Sequence, residues 1–180
     1  MSKAMESFNM AITDAEELLD CYDYINQDNH NTRNPPPESL KRAALILILT
    51  AWETYVEDIA TELFNQKFGA LKGCQIGNFM EQQFSTRLKM FHNPDSAKTK
   101  QIFLEFYGID VTEMWVWSNY STSKEVKDIL NQWIRKRGDA VHRACIDKQL
   151  NHIVKRNELD KCIFFFRNLV RVTDDALVNI

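Results

Sequence analysis

Glycine and proline are scarce in this chain. There are five and four of them in 180 residues, and three of the prolines stand together as Pro35, Pro36 and Pro37. A β-sandwich or barrel turns roughly every 8–12 residues and needs more turn-formers than that. Collagen-like and low-complexity disordered classes are excluded by the same composition. The four cysteines (Cys21, Cys74, Cys145 and Cys162) form no CxxC pair and follow no regular spacing. The four histidines (His30, His92, His142 and His152) form no HxxxH pattern. A disulfide framework and a structural zinc site are therefore not expected. Long apolar runs are missing too. The longest is the seven residues 43–49, against about 20 for a membrane span. Residues 1–6 carry neither an apolar signal core nor an Arg/Ser-rich transit pattern, so a cytoplasmic protein without membrane association is expected. There is no phosphate-cradling glycine loop, no HExxH and no nucleophile elbow. No cofactor and no metal are expected.

What is present is ordinary for a globular protein: 44% hydrophobic and 26% charged residues, in a length that suits one domain spanning 1–180. The apolar spacing is helical throughout. Met5, Phe8, Ile12, Ala15, Leu19 and Tyr22 define a helix over about 5–26. A long helix over 38–68 carries Leu45, Ile48, Leu49, Trp52, Tyr55, Val56, Ile59, Ala60 and Leu63. Residues 43–49 are apolar on every side, which suits the buried centre of a bundle; a strand would not run on into a 3.6-residue period. Gly69, Gly73 and Gly77 read as a loop. A helix over 78–91 shows Met80, Phe84, Leu88 and Phe91 on one face. After the turn Asn93-Pro94-Asp95, with Asp95 or Ser96 as N-cap, a short helix over 97–107 stops at Gly108. Residues 110–117 form an aromatic turn or short helix. Thr122-x-x-Glu125 is a capping box that opens a helix to about 144, with Val126, Ile129, Leu130, Trp133, Ile134 and Val141 inward. A polar connection over 145–156 precedes a last helix over 157–177, where Phe164 and Phe165 widen the apolar face. The expected fold is all-α, an up-and-down bundle of four to five main helices.

The net charge of −3 conceals a division. Residues 1–62 hold 12 acidic and 4 basic residues, a net of −8, and the remainder is +5. Residues 133–156 alone carry Arg135, Lys136, Arg137, Arg143, Lys148, Lys155 and Arg156 against Asp139 and Asp147. Such a patch can attract phosphate whatever the net charge, although a solvated helix face would have the same composition. Within it stands Arg137-Gly138-Asp139-Ala140-Val141-His142. An arginine offers a planar donor fork that suits phosphate, and histidine can exchange a proton near neutrality. Together they supply what metal-free RNA cleavage needs: proton transfer at the 2′-hydroxyl and at the 5′-oxygen, and a cation for the developing charge. By residue type and spacing alone, His142 reads first as a surface or interface histidine. Asp139 is placed for ordinary helix-surface pairs with Arg135 and Arg143.

Two segments resemble the HEPN superfamily, within it the RiboL-PSP and MAE-type bacterial HEPN proteins. The first, residues 43–57 (AALILILTAWETYVE), is similar to the family's apolar second helix with its aromatic and acidic end. The second, residues 133–142 (WIRKRGDAVH), is similar to its late Arg-x(4–6)-His motif. The resemblance implies a metal-independent endoribonuclease, a homodimer with two motifs facing one cleft, and RNA as substrate. It also implies a toxin or antiviral role with an antitoxin or regulatory protein as partner. Carried over, Arg137 would stabilise the phosphate and His142 would act in acid/base catalysis. Glu53 matches the acidic residue of the second helix. The family often has Asn, Asp or His directly after the arginine; here Gly138 stands there, and Asp139 is the candidate substitute. Arg135, Lys136, Arg143 and Lys148 are the candidate RNA-binding residues. The broad last-helix face and the cluster Trp115, Trp117 and Tyr120 would suit a dimer interface or, equally, an enclosed core. The alternative function is a non-catalytic helical module that binds RNA or protein through the same fold.

Overall fold

The computed structural model describes residues 1–28, 37–142 and 154–178. Six α-helices follow in order: α1 (Lys3–Asp28), α2 (Glu38–Phe68), α3 (Gln75–Lys89), α4 (Ser96–Tyr107), α5 (Ser123–His142) and α6 (Arg156–Leu177). Short 3-10 turns occupy Gly69–Leu71 and Val111–Met114, and no strand occurs among the described residues. The all-α bundle expected from the periodicity is present, with six helices where four to five were expected. No helix among the described residues is long and apolar enough to cross a membrane.

The centre is α2, which packs against α1, α4, α5 and α6. Ala44, Leu45, Ile48, Leu49, Trp52, Tyr55, Val56, Ile59 and Ala60 are all buried, and Ile46 and Leu47 are half-buried. The run 43–49 is thus enclosed on more than one side because neighbours pack against it from several directions. Buried polar groups along this axis find partners, as they must away from water. Trp52 Nε1 donates to the Pro94 carbonyl at 2.9 Å, and Tyr107 OH donates to the Ala60 carbonyl at 2.6 Å. These two bonds tie α4 and the loop before it to the middle of α2.

The helix ends follow local chemistry. Asp95 accepts from the Lys98 N–H at 2.8 Å, and Gly108 closes α4 in the left-handed conformation at φ 76°. Thr122 and Glu125 exchange the two bonds of a capping box, each at 3.4 Å. Three expectations are corrected. Gly77 lies inside α3, where its missing side chain lets the Leu71 carbonyl approach. Val141 is half exposed, and the small Ala140 takes the inward place beside it. Of the two phenylalanines expected to widen the last helix's face, Phe165 is buried and only Phe164 remains exposed. Trp115 is fully buried, its Nε1 donating to Thr173 Oγ1 at 2.9 Å, while Trp117 and Tyr120 pack on Phe165. Of that aromatic cluster, Trp115 belongs to the core, and Trp117 and Tyr120 are half-buried against it.

Helix α5 buries only Val126, Leu130 and Ala140 fully. Polar pairs complete its attachment. Ser96 and Asn131 exchange two hydrogen bonds at 3.0 Å, Lys127 meets Glu113 at 2.5 Å, and Lys136 meets Glu158 at 3.1 Å.

The two helical glycines should respond oppositely to alanine. A Cβ at Gly138 meets open space, so Gly138→Ala should stabilise the fold by about 0.5–1 kcal/mol, the helix-interior penalty of glycine. A Cβ at Gly77 would stand 1.9 Å from the Leu71 oxygen, and Gly77→Ala should cost about 1–3 kcal/mol. Urea denaturation followed by circular dichroism measures both; equal effects would contradict the packing described.

Candidate functional site

Thr50, Glu53 and Glu57 succeed one another at spacings of three and four, so they share one face of α2. Arg137 crosses to this face from α5. Its Nη1 donates to Glu53 Oε2 at 2.8 Å and also to Asn93 Oδ1, and its Nη2 lies 3.5 Å from Thr50 Oγ1. The Arg137 and Glu53 side chains are only 18% and 16% exposed, so solvent screens this pair less than a surface one. Glu53, expected as a match to an acidic position on the second helix, is thus the carboxylate that holds the motif arginine.

The third contributor is the loop between α3 and α4. Asn93 adopts a left-handed backbone at φ 52°, which asparagine tolerates better than most side chains. Its N–H donates to Glu53 Oε1 at 3.2 Å, while its side chain accepts from Arg137. The preceding His92 carries its ring outward, 74% exposed, with Nδ1 3.8 Å from Glu53 Oε1. The loop is clamped on both sides. Phe91 and Pro94 are buried, Trp52 holds the Pro94 carbonyl, and Lys98 Nζ donates to the His92 carbonyl. Glu53 is therefore shared by three groups: an arginine from α5, a backbone amide and a histidine from the loop.

The arrangement fixes one edge of the guanidinium and leaves another. Glu53 and Asn93 occupy Nη1, and Thr50 stands near Nη2. The Nε–H and a second Nη2 hydrogen, which together form a fork suited to a phosphate, meet no carboxylate among the described residues. Among the described residues, Arg137 is positioned by a single carboxylate, on its Nη1 side.

His142 is exposed in the last turn of α5. Gly138 does not interrupt the helix, so Arg137 and His142 keep regular helical geometry. Five residues separate them by about 140° of rotation and about 7.5 Å of rise. The two motif residues of one chain thus diverge. Asp139 is half-buried and engaged by a neighbour of its own. Arg135 is exposed. Lys136 is half-buried, bonded to Glu158 and lying 4.9 Å over the Trp133 ring. Arg143 and Lys148 lie outside the described residues. Arg156, counted in the basic window, is spent on structure, with Nε and Nη2 on the Asp23 carboxylate at 2.7–3.0 Å and Nη1 on Asp160 at 2.6 Å. The patch is less available than its composition suggested: among its described members Arg135 and Lys155 are exposed, while Arg137 keeps only part of its donor set.

His92, Asn93 and Thr50 were not singled out from the sequence. The Asn-Pro-Asp turn was visible, but its contact with an arginine 44 residues later depends on tertiary docking.

Glu57 continues the acidic ridge one turn beyond Glu53. Burial raises its pKa above the ordinary carboxylate range, with Glu53 and Asp58 adding repulsion and His92 offsetting part of it. A raised folded-state value means that stability falls as pH climbs past the unfolded value and Glu57 must ionise. Glu57→Gln should therefore raise the melting temperature at pH 7 and leave it unchanged below the ordinary glutamate pKa of about 4.3. Calorimetry at the two pH values tests this; an equal shift at both would show that the gain is not electrostatic.

Comparison with known proteins agrees with this architecture. No curated protein and no solved structure matches the chain. The RiboL-PSP-HEPN family model, however, matches residues 11–179. The match includes α2 with Glu53, the α3–α4 loop with His92 and Asn93, and the whole of α5 with Arg137 and His142. This all-α chain, with its arginine and histidine on one late helix, belongs to the RiboL-PSP-HEPN family.

Proposed function

We infer that this protein is a metal-independent endoribonuclease that works as a homodimer. The observation that supports it most is the state of Arg137. One edge is bonded to Glu53 and Asn93, and the Nε edge meets no carboxylate among the described residues. An arginine used only to hold α5 against α2 would not need its remaining donors turned away from every described carboxylate. A guanidinium fixed this way is preorganised for an equatorial phosphate oxygen and loses little side-chain entropy on binding.

In the reaction the 2′-hydroxyl attacks the adjacent phosphorus, a base takes its proton, and an acid protonates the departing 5′-oxygen. Arg137 stabilises the charge that grows on the phosphoryl oxygens. His142 supplies proton transfer. Because Arg137 and His142 of one chain diverge around α5, two α5 helices meeting across a two-fold axis would complete a cleft that one chain leaves splayed. Exposed Val141, adjacent to His142, is suited to such a contact. Arg135 would add non-specific attraction to the RNA backbone. In the cell, a cytoplasmic activity of this kind suits a toxin or antiviral effector restrained by an antitoxin-like or regulatory protein. The second reading, a helical module that binds RNA without cleaving it, draws on the Gly138 position, where relatives of this type often carry a polar side chain.

Labelled single-stranded RNA incubated with purified protein in EDTA distinguishes the two. The wild type should cleave and leave 2′,3′-cyclic phosphate ends. Arg137→Ala and His142→Ala should each lose about 100-fold or more in rate. Sedimentation should give twice the 21.1 kDa chain mass. RNA binding without cleavage by any form would establish the non-catalytic module.

A further inference from the structure

We propose that His92 is the general acid of the cleavage site, so that the α3–α4 loop carries catalytic chemistry alongside the arginine–histidine helix. The proposal rests on the ribonuclease reading above and adds a residue to it.

Cleavage without metal needs two proton-transfer groups, one for the 2′-hydroxyl and one for the 5′-oxygen. The α5 motif supplies one imidazole, and it points about 140° away from Arg137 on the same helix. The loop supplies another. His92 and Arg137 lie against the two oxygens of a single carboxylate: Arg137 Nη1 is 2.8 Å from Glu53 Oε2, and His92 Nδ1 is 3.8 Å from Glu53 Oε1. His92 is therefore the imidazole that shares a partner with the phosphate-binding candidate. Its ring is 74% exposed, whereas the backbone on either side is fixed, with Phe91 buried, Asn93 bonded to Glu53 and Arg137, and the His92 carbonyl taken by Lys98. An accessible functional group on an immobile backbone is what positioning for catalysis requires. A histidine serving structure would be enclosed or hydrogen-bonded through its ring.

The charged groups around His92 are Glu53 and Glu57 from α2, Lys98 from α4 and Arg137 from α5. With Nδ1 turned toward Glu53, Nε2 faces outward. An imidazolium can keep its Nδ1 proton on the carboxylate side and still carry a proton on Nε2 for donation. The step balances within the protein and substrate. The 2′-oxygen gives its proton to His142 and bonds to phosphorus. The bond from phosphorus to the 5′-oxygen breaks, and that oxygen takes the Nε2 proton of His92. The products are a 2′,3′-cyclic phosphate and a free 5′-hydroxyl, with the two histidines left in exchanged protonation states.

The test uses full-length protein, an RNA dinucleotide linkage and its analogue with sulfur in place of the bridging 5′-oxygen, a leaving group that departs without protonation. Wild type should cleave both. His92→Ala should lose at least about tenfold on the ordinary linkage and approach wild-type rate on the sulfur analogue. His142→Ala, lacking the base, should be slow on both. His92→Gln, also exposed and unable to donate a labile proton as an acid, should behave like His92→Ala with an unchanged melting temperature. Loss of less than tenfold on the ordinary linkage, or equal loss on both linkages, would overturn the role of His92 while leaving the ribonuclease in place. No cleavage of either linkage by wild type would instead remove the ribonuclease reading itself, and the acid role with it.

Discussion

The site depends on one ion pair. Glu53 and Arg137 face each other from α2 and α5 with little exposure, and Asn93 and His92 of the α3–α4 loop are arranged around them. Glu53 receives the arginine on one oxygen and the Asn93 amide on the other. That divides the work between the two partners. The carboxylate is consumed by position-setting, and the arginine keeps part of its donor set. Removing either partner would leave the other partly buried and uncompensated. The pairing is therefore both a constraint on how α5 lies across α2 and the reason a cation can be held ready at the surface.

The loop between α3 and α4 is the third party to this arrangement. It is not an ornament on the bundle. Trp52, the residue before Glu53 in the middle of α2, holds the Pro94 carbonyl, so the same helix supplies both the anchor and the carboxylate. The left-handed turn at Asn93 then aims a side chain at Arg137 and leaves His92 outside. Electrostatics follow the same economy. Three of the five described cations in residues 133–156 are matched by carboxylates, Arg137 among them. Lys136 meets Glu158, and Arg156 meets Asp23 and Asp160. The acidic first third and the basic remainder are partly a set of helix-to-helix contacts written into composition.

Much of the fold was legible because local rules and packing agree. The helix over 38–68 was placed residue for residue, since an uninterrupted apolar stripe, a proline run before it and a glycine after it all mark the same element. The capping box at Thr122 and the left-handed stop at Gly108 were readable for the same reason. Gly77 was misread because its need for no side chain comes from a carbonyl six residues earlier, a contact that local sequence does not encode. Phe164 and Phe165 could not be told apart by hydropathy, because adjacent helical residues differ only in the neighbours that tertiary packing assigns to them. Arg137 and Glu53, which the structure brings together, were named from motif and resemblance; His142 was named with them, and the structure sets it on another side of α5. His92 and Asn93 were not named, because a turn motif announces its geometry and not what it will touch.

The central claim is that Arg137 binds a phosphate through its outer edge while Glu53 and Asn93 keep the inner one. A crystal structure of His142→Ala with an RNA whose 2′-hydroxyls at the cleavage position are replaced by hydrogen tests it directly. The account predicts a phosphodiester bonded to Nε and Nη2 of Arg137, with the Nη1 contacts to Glu53 and Asn93 retained. A phosphate bound elsewhere, or an Arg137 pulled free of Glu53 to reach it, would contradict the account.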